Sequence, residues 1–304
     1  MKKTLLAIAV GMVVATSASA ADMYIDLGTN YFDENRLIGP GPFPGTVPAD
    51  ADSRTANFNE FGFSQILATS IYNFADGSVF GSFYDTNIPA ELTAAGIPAS
   101  GTALDGSTAV SLVLPNCAAG QCDIDALSPL VPPIDSDNEG FLQTWDLQVS
   151  YHFDGVLTAG GPSYTGGTFT VFFNDKTATN ADFIALVGTL TGSDVNLANL
   201  DLFFDITFAA DDFLWIDRGV GTFLDAADVI AGGGIPTLAL DTNVNPPIPT
   251  ADQLLLVADA SGNPNVIRQT TLDGSITAQV PEPGMLALMG LGLLGLGLSR
   301  RKAA

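Results

Sequence analysis

A chain of 304 residues with 33 acidic side chains against 10 Lys and Arg carries a net charge of −23. Five of those cations (Lys2, Lys3, Arg300, Arg301, Lys302) lie in the terminal segments, where Glu282 is the one acid, so the body between them holds 32 acids against five cations, a net charge of −27. Such a body repels nucleic acid and anionic lipid and excludes both as partners; the same charge favours solubility, divalent cations and cationic partners, or simply serves as a solvated surface.

The chain opens on a basic Met1-Lys2-Lys3, an apolar run from Leu5 to Val14 and the small-residue triplet Ala18-Ser19-Ala20. That order is a secretory signal, residues 1–20, with cleavage between Ala20 and Ala21 by the secretion machinery. The body that follows, residues 21–278, is long enough to bury a genuine core as one domain.

Along the body the dominant pattern is alternation with period two, the signature of half-buried strands. It is complete from Thr144 to Phe153, where Trp145, Leu147, Val149, Tyr151 and Phe153 share one face and Asp146, Gln148, Ser150 and His152 the other. Leu200, Leu202, Phe204, Ile206 and Phe208 repeat it, and Phe169, Val171 and Phe173 more briefly. Further expected strands are Met23 to Leu27, Phe63 to Phe74, Ser78 to Tyr84, Thr108 to Leu114, Phe183 to Leu190, Leu254 to Ala258 and Ser275 to Val280. Asp154-Gly155, Gly166-Gly167, Gly192-Ser193 and Asp273-Gly274 read as turns between them. Gly39 to Pro48, Ser128 to Gly140 and Asn243 to Thr250 read as long loops, and Ala90 to Ala95 and Ala226 to Ala231 as single helical turns. The expected fold is mainly β: an antiparallel β-sandwich-like single domain with long loops.

Cys117 and Cys122 are the two cysteines. In an oxidising compartment a close pair in a glycine-containing loop reads as a disulfide, worth about 2 kcal/mol for so short a loop. A metal site would need two further Cys or His ligands, and His152 is the sole histidine.

The stretch from Asp135 to Asp146 resembles a twelve-residue calcium loop, with carboxylates at Asp135, Asp137, Glu139 and Asp146, Gly140 at the turn and the Phe141 carbonyl as a further oxygen. Glu139 stands where Asp or Asn is usual, Asp146 where a longer bidentate Glu is usual, and the flanks are a loop and a strand in place of two helices. A polar turn entering a strand is the competing reading. The register from Asp217 to Asp228 is a poorer version, because Gly219, Gly221 and Thr222 leave its first half without ligands. Enzymatic signatures are thin: His152 lies on the polar face of a strand, with no nucleophile elbow and no zinc-binding helix motif to join.

The end of the chain is the most specific. Val280-Pro281-Glu282-Pro283 precedes an apolar run of 15 residues, Gly284 to Leu298, and the cluster Arg300-Arg301-Lys302. As a helix the run spans about 22 Å against a hydrocarbon core of about 30 Å, short for a permanent anchor, and the cations hold its far end on the cytoplasmic side. Five glycines and no polar residue make it a poor amphipathic core helix.

This order, residues 279–304, resembles the PEP-CTERM sorting signal of bacterial exosortase substrates. The resemblance implies a short transmembrane sorting helix, recognition at Pro281, Glu282 and Pro283, cleavage by a membrane-embedded exosortase, and release of the body to the cell surface or extracellular matrix. Before processing the chain would be tethered to the inner membrane by that transient helix. It further implies association with exopolysaccharide, biofilm or floc; the thin catalytic signatures add the expectation of a protein without enzymatic activity. A secreted hydrolase acting on polysaccharide and a calcium-dependent adhesin are the rival readings.

Overall fold

The computed structural model describes residues 20–28, 52–97, 122–128, 139–177, 181–196, 199–217, 221–243 and 247–279. The secretory signal up to Ser19, the loop from Gly39 to Pro48, the strand expected from Thr108 to Leu114, and Cys117, Asp135, Asp137 and residues 280–304 lie outside them. Among the described residues no helix is long and apolar enough to cross a membrane.

Eight long antiparallel strands build the body: β2 (Glu60–Asn73), β3 (Gly81–Thr86), β6 (Trp145–Thr158), β7 (Gly161–Asp175), β8 (Phe183–Asn196), β9 (Asn199–Ala209), β12 (Thr237–Asn243) and β14 (Pro264–Gln279). Each pairs with the next in the order β2-β3-β6-β7-β8-β9-β12-β14, and β14 pairs back onto β2 from Asn265↔Asn73 to Thr277↔Glu60. The antiparallel sheet therefore curls until its ends meet, and the two facing layers are opposite walls of one barrel. Along the closing seam the amide of Gln269 donates to Thr69 Oγ1 at 3.0 Å. Closure removes the unpaired edges that an open sheet of this size would expose.

The alternation read in the sequence sets which residues point inward. Val149 and Phe153 on β6, and Leu200, Leu202, Phe204 and Ile206 on β9, are buried, while Asp154, Asp201 and Asp205 face outward. On β6 and β9 the inward positions are thus mainly apolar, while the outward ones mix acids with exposed Val156, Phe203 and Phe208. Phe208 departs from its expected inward position. The pairs Val187↔Phe208 and Gly188↔Ile206 leave Thr207 as an extra residue on β9, and this bulge turns Phe208 to solvent.

Four expected turns are strand interiors. β6 runs through Asp154-Gly155 to Thr158, and β7 through Gly166-Gly167, with Thr165 bulged between the pairs Asp154↔Gly166 and Gly155↔Tyr164. These glycines make room. A Cβ on Gly155 would lie 2.5 Å from Cζ of Phe83, and one on Gly167, where φ is 129°, would lie 2.2 Å from the carbonyl oxygen of His152. Gly192-Ser193 and Asp273-Gly274 likewise lie inside β8 and β14.

Around the barrel sit shorter elements. β4 (Cys122–Ile124) lies along β6, β5 (Ala126–Ser128) along β2, and β13 (Leu255–Ala258) along β14. A separate sheet of β1 (Met23–Ile25), β10 (Leu214–Asp217) and β11 (Phe223–Asp225) joins the same core through Met23, Ile25, Leu214 and Ile216. Helices α1 (Pro89–Ala94) and α2 (Ala226–Ala231) fall where helical turns were expected. Pro89 opens α1, and Leu92, Ala95 and Ile97 cover the outer face of the seam at Ile71, Leu255, Val257 and Ile267, a small second core outside the barrel. α2 is capped by Asp225, whose carboxylate accepts from the Ala227 nitrogen at 3.1 Å.

Candidate functional site

Register brings three polar residues into one rung. Ser70 on β2 is paired with Arg268 on β14 and with Asp85 on β3, so a cation, a hydroxyl and a carboxylate stand on three neighbouring strands about 4.8 Å apart, all facing the barrel interior. Two strands along the wall, beyond β6, Tyr164 on β7 donates its hydroxyl to Asp85 Oδ2. Tyr72 on β2 and Tyr151 on β6 complete the polar group.

Burial is the chief cause that displaces Asp85 and the three tyrosines from their ordinary protonation behaviour. Burial raises Asp85 to about 6 against hydrogen bonds from Ser70 and Tyr164 and the charges of Arg268 and His152, which favour the carboxylate. Tyr72 is pushed up to about 12 by burial and then by the charge of Asp85. Tyr151 and Tyr164 rise for the same two reasons, so all three phenols stay protonated.

This polar group opens onto a chamber of ≈ 90 Å³, lined otherwise by apolar and aromatic side chains including Phe83, Phe153, Phe169, Leu202 and Phe204. An eight-stranded barrel is at the size where side chains fill the interior or leave space for one small ligand. The sequence reading missed this site. A signal was available: Asp85 follows Phe83, and Arg268 follows Val266, at the spacing that keeps a residue on the buried face.

On the outside His152 is committed to two carboxylates. Its Nδ1 lies 2.8 Å from Glu91 Oε2 and its Nε2 3.4 Å from Asp154 Oδ1, with the ring stacked on Tyr84 at 5.2 Å. Burial opposes its charge, yet the hydrogen bonds and charges of Glu91 and then Asp154 hold the imidazole above its ordinary value. With both ring nitrogens engaged, it serves as an ion-pair partner.

The calcium stretch is described only from Glu139 onward. Glu139 is buried with φ of 53°, and its carbonyl accepts from the indole of fully buried Trp145 at 2.8 Å. The ring of Phe141 packs on Trp145 at 4.9 Å. Asp146 accepts from Asn174 at 2.8 Å through Oδ1 and lies 3.3 Å from Lys176 Nζ through Oδ2. Both its oxygens are taken up within the protein. Among the described residues no three His, Cys, Asp or Glu stand together as a metal site.

Cys122 is buried and disulfide-bonded, 3.4 Å from the amide nitrogen of Asn87. Its expected partner Cys117 lies outside the described residues.

The two ends of the body meet. The Ala21 nitrogen donates to the Ala278 carbonyl at 3.0 Å, and β14 ends at Gln279. Residues 279–302 match the PEP-CTERM protein-sorting motif. The chain thus carries the sorting signal of an exosortase substrate, beginning at the residue that ends the barrel-closing strand, and this implies export and membrane anchoring before processing. No curated protein and no solved structure matches the chain.

Proposed function

We propose that the protein is a non-enzymatic component of the cell surface or extracellular matrix, delivered by exosortase processing and associated with exopolysaccharide. The observation that carries this reading is the sorting motif at residues 279–302, joined to the end of β14. Removal of the motif would leave a barrel whose strands are all paired. The commitment of His152 to Glu91 and Asp154 supports a body without hydrolytic machinery. With a body charge of −27, a matrix polymer that it binds would be neutral, cationic or bridged by divalent cations.

Co-sedimentation of the protein with exopolysaccharide from the same cells tests the reading. The expected result is retention in the pellet with no increase in reducing ends. New reducing ends would establish the hydrolase instead, and protein left in the supernatant would remove the matrix role.

A further inference from the structure

We propose that the chamber inside the barrel binds one small uncharged molecule with an apolar body of about four to six carbons and a single hydroxyl group, seated against Asp85 and Tyr151. Nothing in this depends on the sorting signal or on polysaccharide.

Size sets the first limit. A chamber of ≈ 90 Å³ exceeds what one water needs, roughly 10–15 Å³, and falls short of the roughly 150 Å³ cavity that takes benzene loosely. Phe153, Phe169, Leu202 and Phe204 offer most of this space only dispersion and desolvation, so the ligand body must be apolar.

The head group follows from two atoms. Asp85 Oδ1 and the Tyr151 hydroxyl are buried and have no hydrogen-bond partner on the protein, while Asp85 Oδ2 already accepts from Tyr164. A hydroxyl donates once and accepts as well, so one group can give its proton to Asp85 Oδ1 and take that of Tyr151. Leaving such a buried atom unmet is costly, and that cost becomes selectivity for the molecule that meets it. Charge sets the last limit: Arg268 and Asp85 occupy one rung and offset each other, so an ionic ligand would bring an uncompensated charge into a buried space.

The test is an NMR titration of the full chain with phenol, 1-butanol and benzene. Phenol and 1-butanol should bind saturably at one site, with intermolecular NOEs to the rings of Phe153, Tyr164 and Phe204. Benzene should bind at least about tenfold more weakly, as expected for one lost polar pairing. Tyr151→Phe should weaken phenol several-fold while leaving benzene unchanged. The wild-type comparison of phenol with benzene decides the matter even where the variant folds poorly. Equal affinity of the two, absence of saturable shifts, or NOEs to these rings from water alone would overturn the proposal.

Discussion

The main-chain nitrogen of Ala21 donates to the carbonyl oxygen of Ala278 at 3.0 Å, so the residue expected to begin the mature chain lies beside the penultimate residue of the strand that closes the barrel. The two ends of the described body therefore lie side by side. The proposed cleavage before Ala21 would turn that nitrogen into an ammonium group, and a charged donor would strengthen the bond it makes.

The N-terminal strand is accordingly part of the fold. Met23 and Ile25 are wholly buried, and β1 pairs with β10 through Met23↔Ile216 and Ile25↔Leu214. Ile25→Ala should cost about 2–5 kcal/mol in urea denaturation, the range for truncating a fully buried aliphatic side chain. A loss under about 1 kcal/mol would mean that β1 is an appendage.

The glycines inside β6 and β7 give a sharper test of the bulge. Gly167→Ala combines a φ of 129° with a Cβ 2.2 Å from a backbone oxygen that cannot swing away. It should destabilise by about 2 kcal/mol or more. Gly166→Ala, one residue away with open space around its Cβ position, should cost distinctly less. Equal effects would contradict the close approach.

Acid should stabilise this protein through Asp85. Its folded value of about 6 stands above the unfolded value of about 3.9. Its contribution is therefore fully present below about pH 4 and lost as pH rises through about 6. Between pH 7 and pH 4 the wild type should gain about 2–3 kcal/mol more than Asp85→Asn, measured as urea midpoints. Relief of surface repulsion is common to both chains and drops out of the comparison. His152 acts in the same direction at higher pH: its raised value gives stability present below about 6.5 and lost as pH climbs past its folded value.

What the sequence disclosed and what it concealed divide along physical lines. Trp145 to Phe153 and Leu200 to Ile206 were legible because large apolar side chains alternate with polar ones on a sheet buried on one side only. The first half of β7 was not, since Gly166 and Gly167 carry no side chain to show a period and resemble a turn. The beginning of β14 was hidden by Arg268, a charged residue at a buried position. Closure of the barrel joins Thr69 to Gln269, and no local pattern names a partner 200 residues away. The rung of Arg268, Ser70 and Asp85 exists only once that closure is known.

For the expected calcium loop, Asp146 is already held by Lys176 and Asn174, so cation binding falls to Asp135, Asp137, Glu139 and the Phe141 carbonyl. Calcium should raise the unfolding temperature of the wild type above the effect of sodium at matched ionic strength, and should do so less for Asp135→Ala with Asp137→Ala. Equal responses of the two chains would leave a polar turn. Independently, Lys176→Met should destabilise by about 1–2 kcal/mol, because it strips the cation from a buried carboxylate while the lysine itself is partly in water.

Processing at both ends is tested most directly by intact-mass analysis of the protein recovered from the cell exterior. The mass should correspond to a chain that begins at Ala21 and lacks Gly284 to Ala304. A chain on the outside that retains Arg300, Arg301 and Lys302 would contradict it.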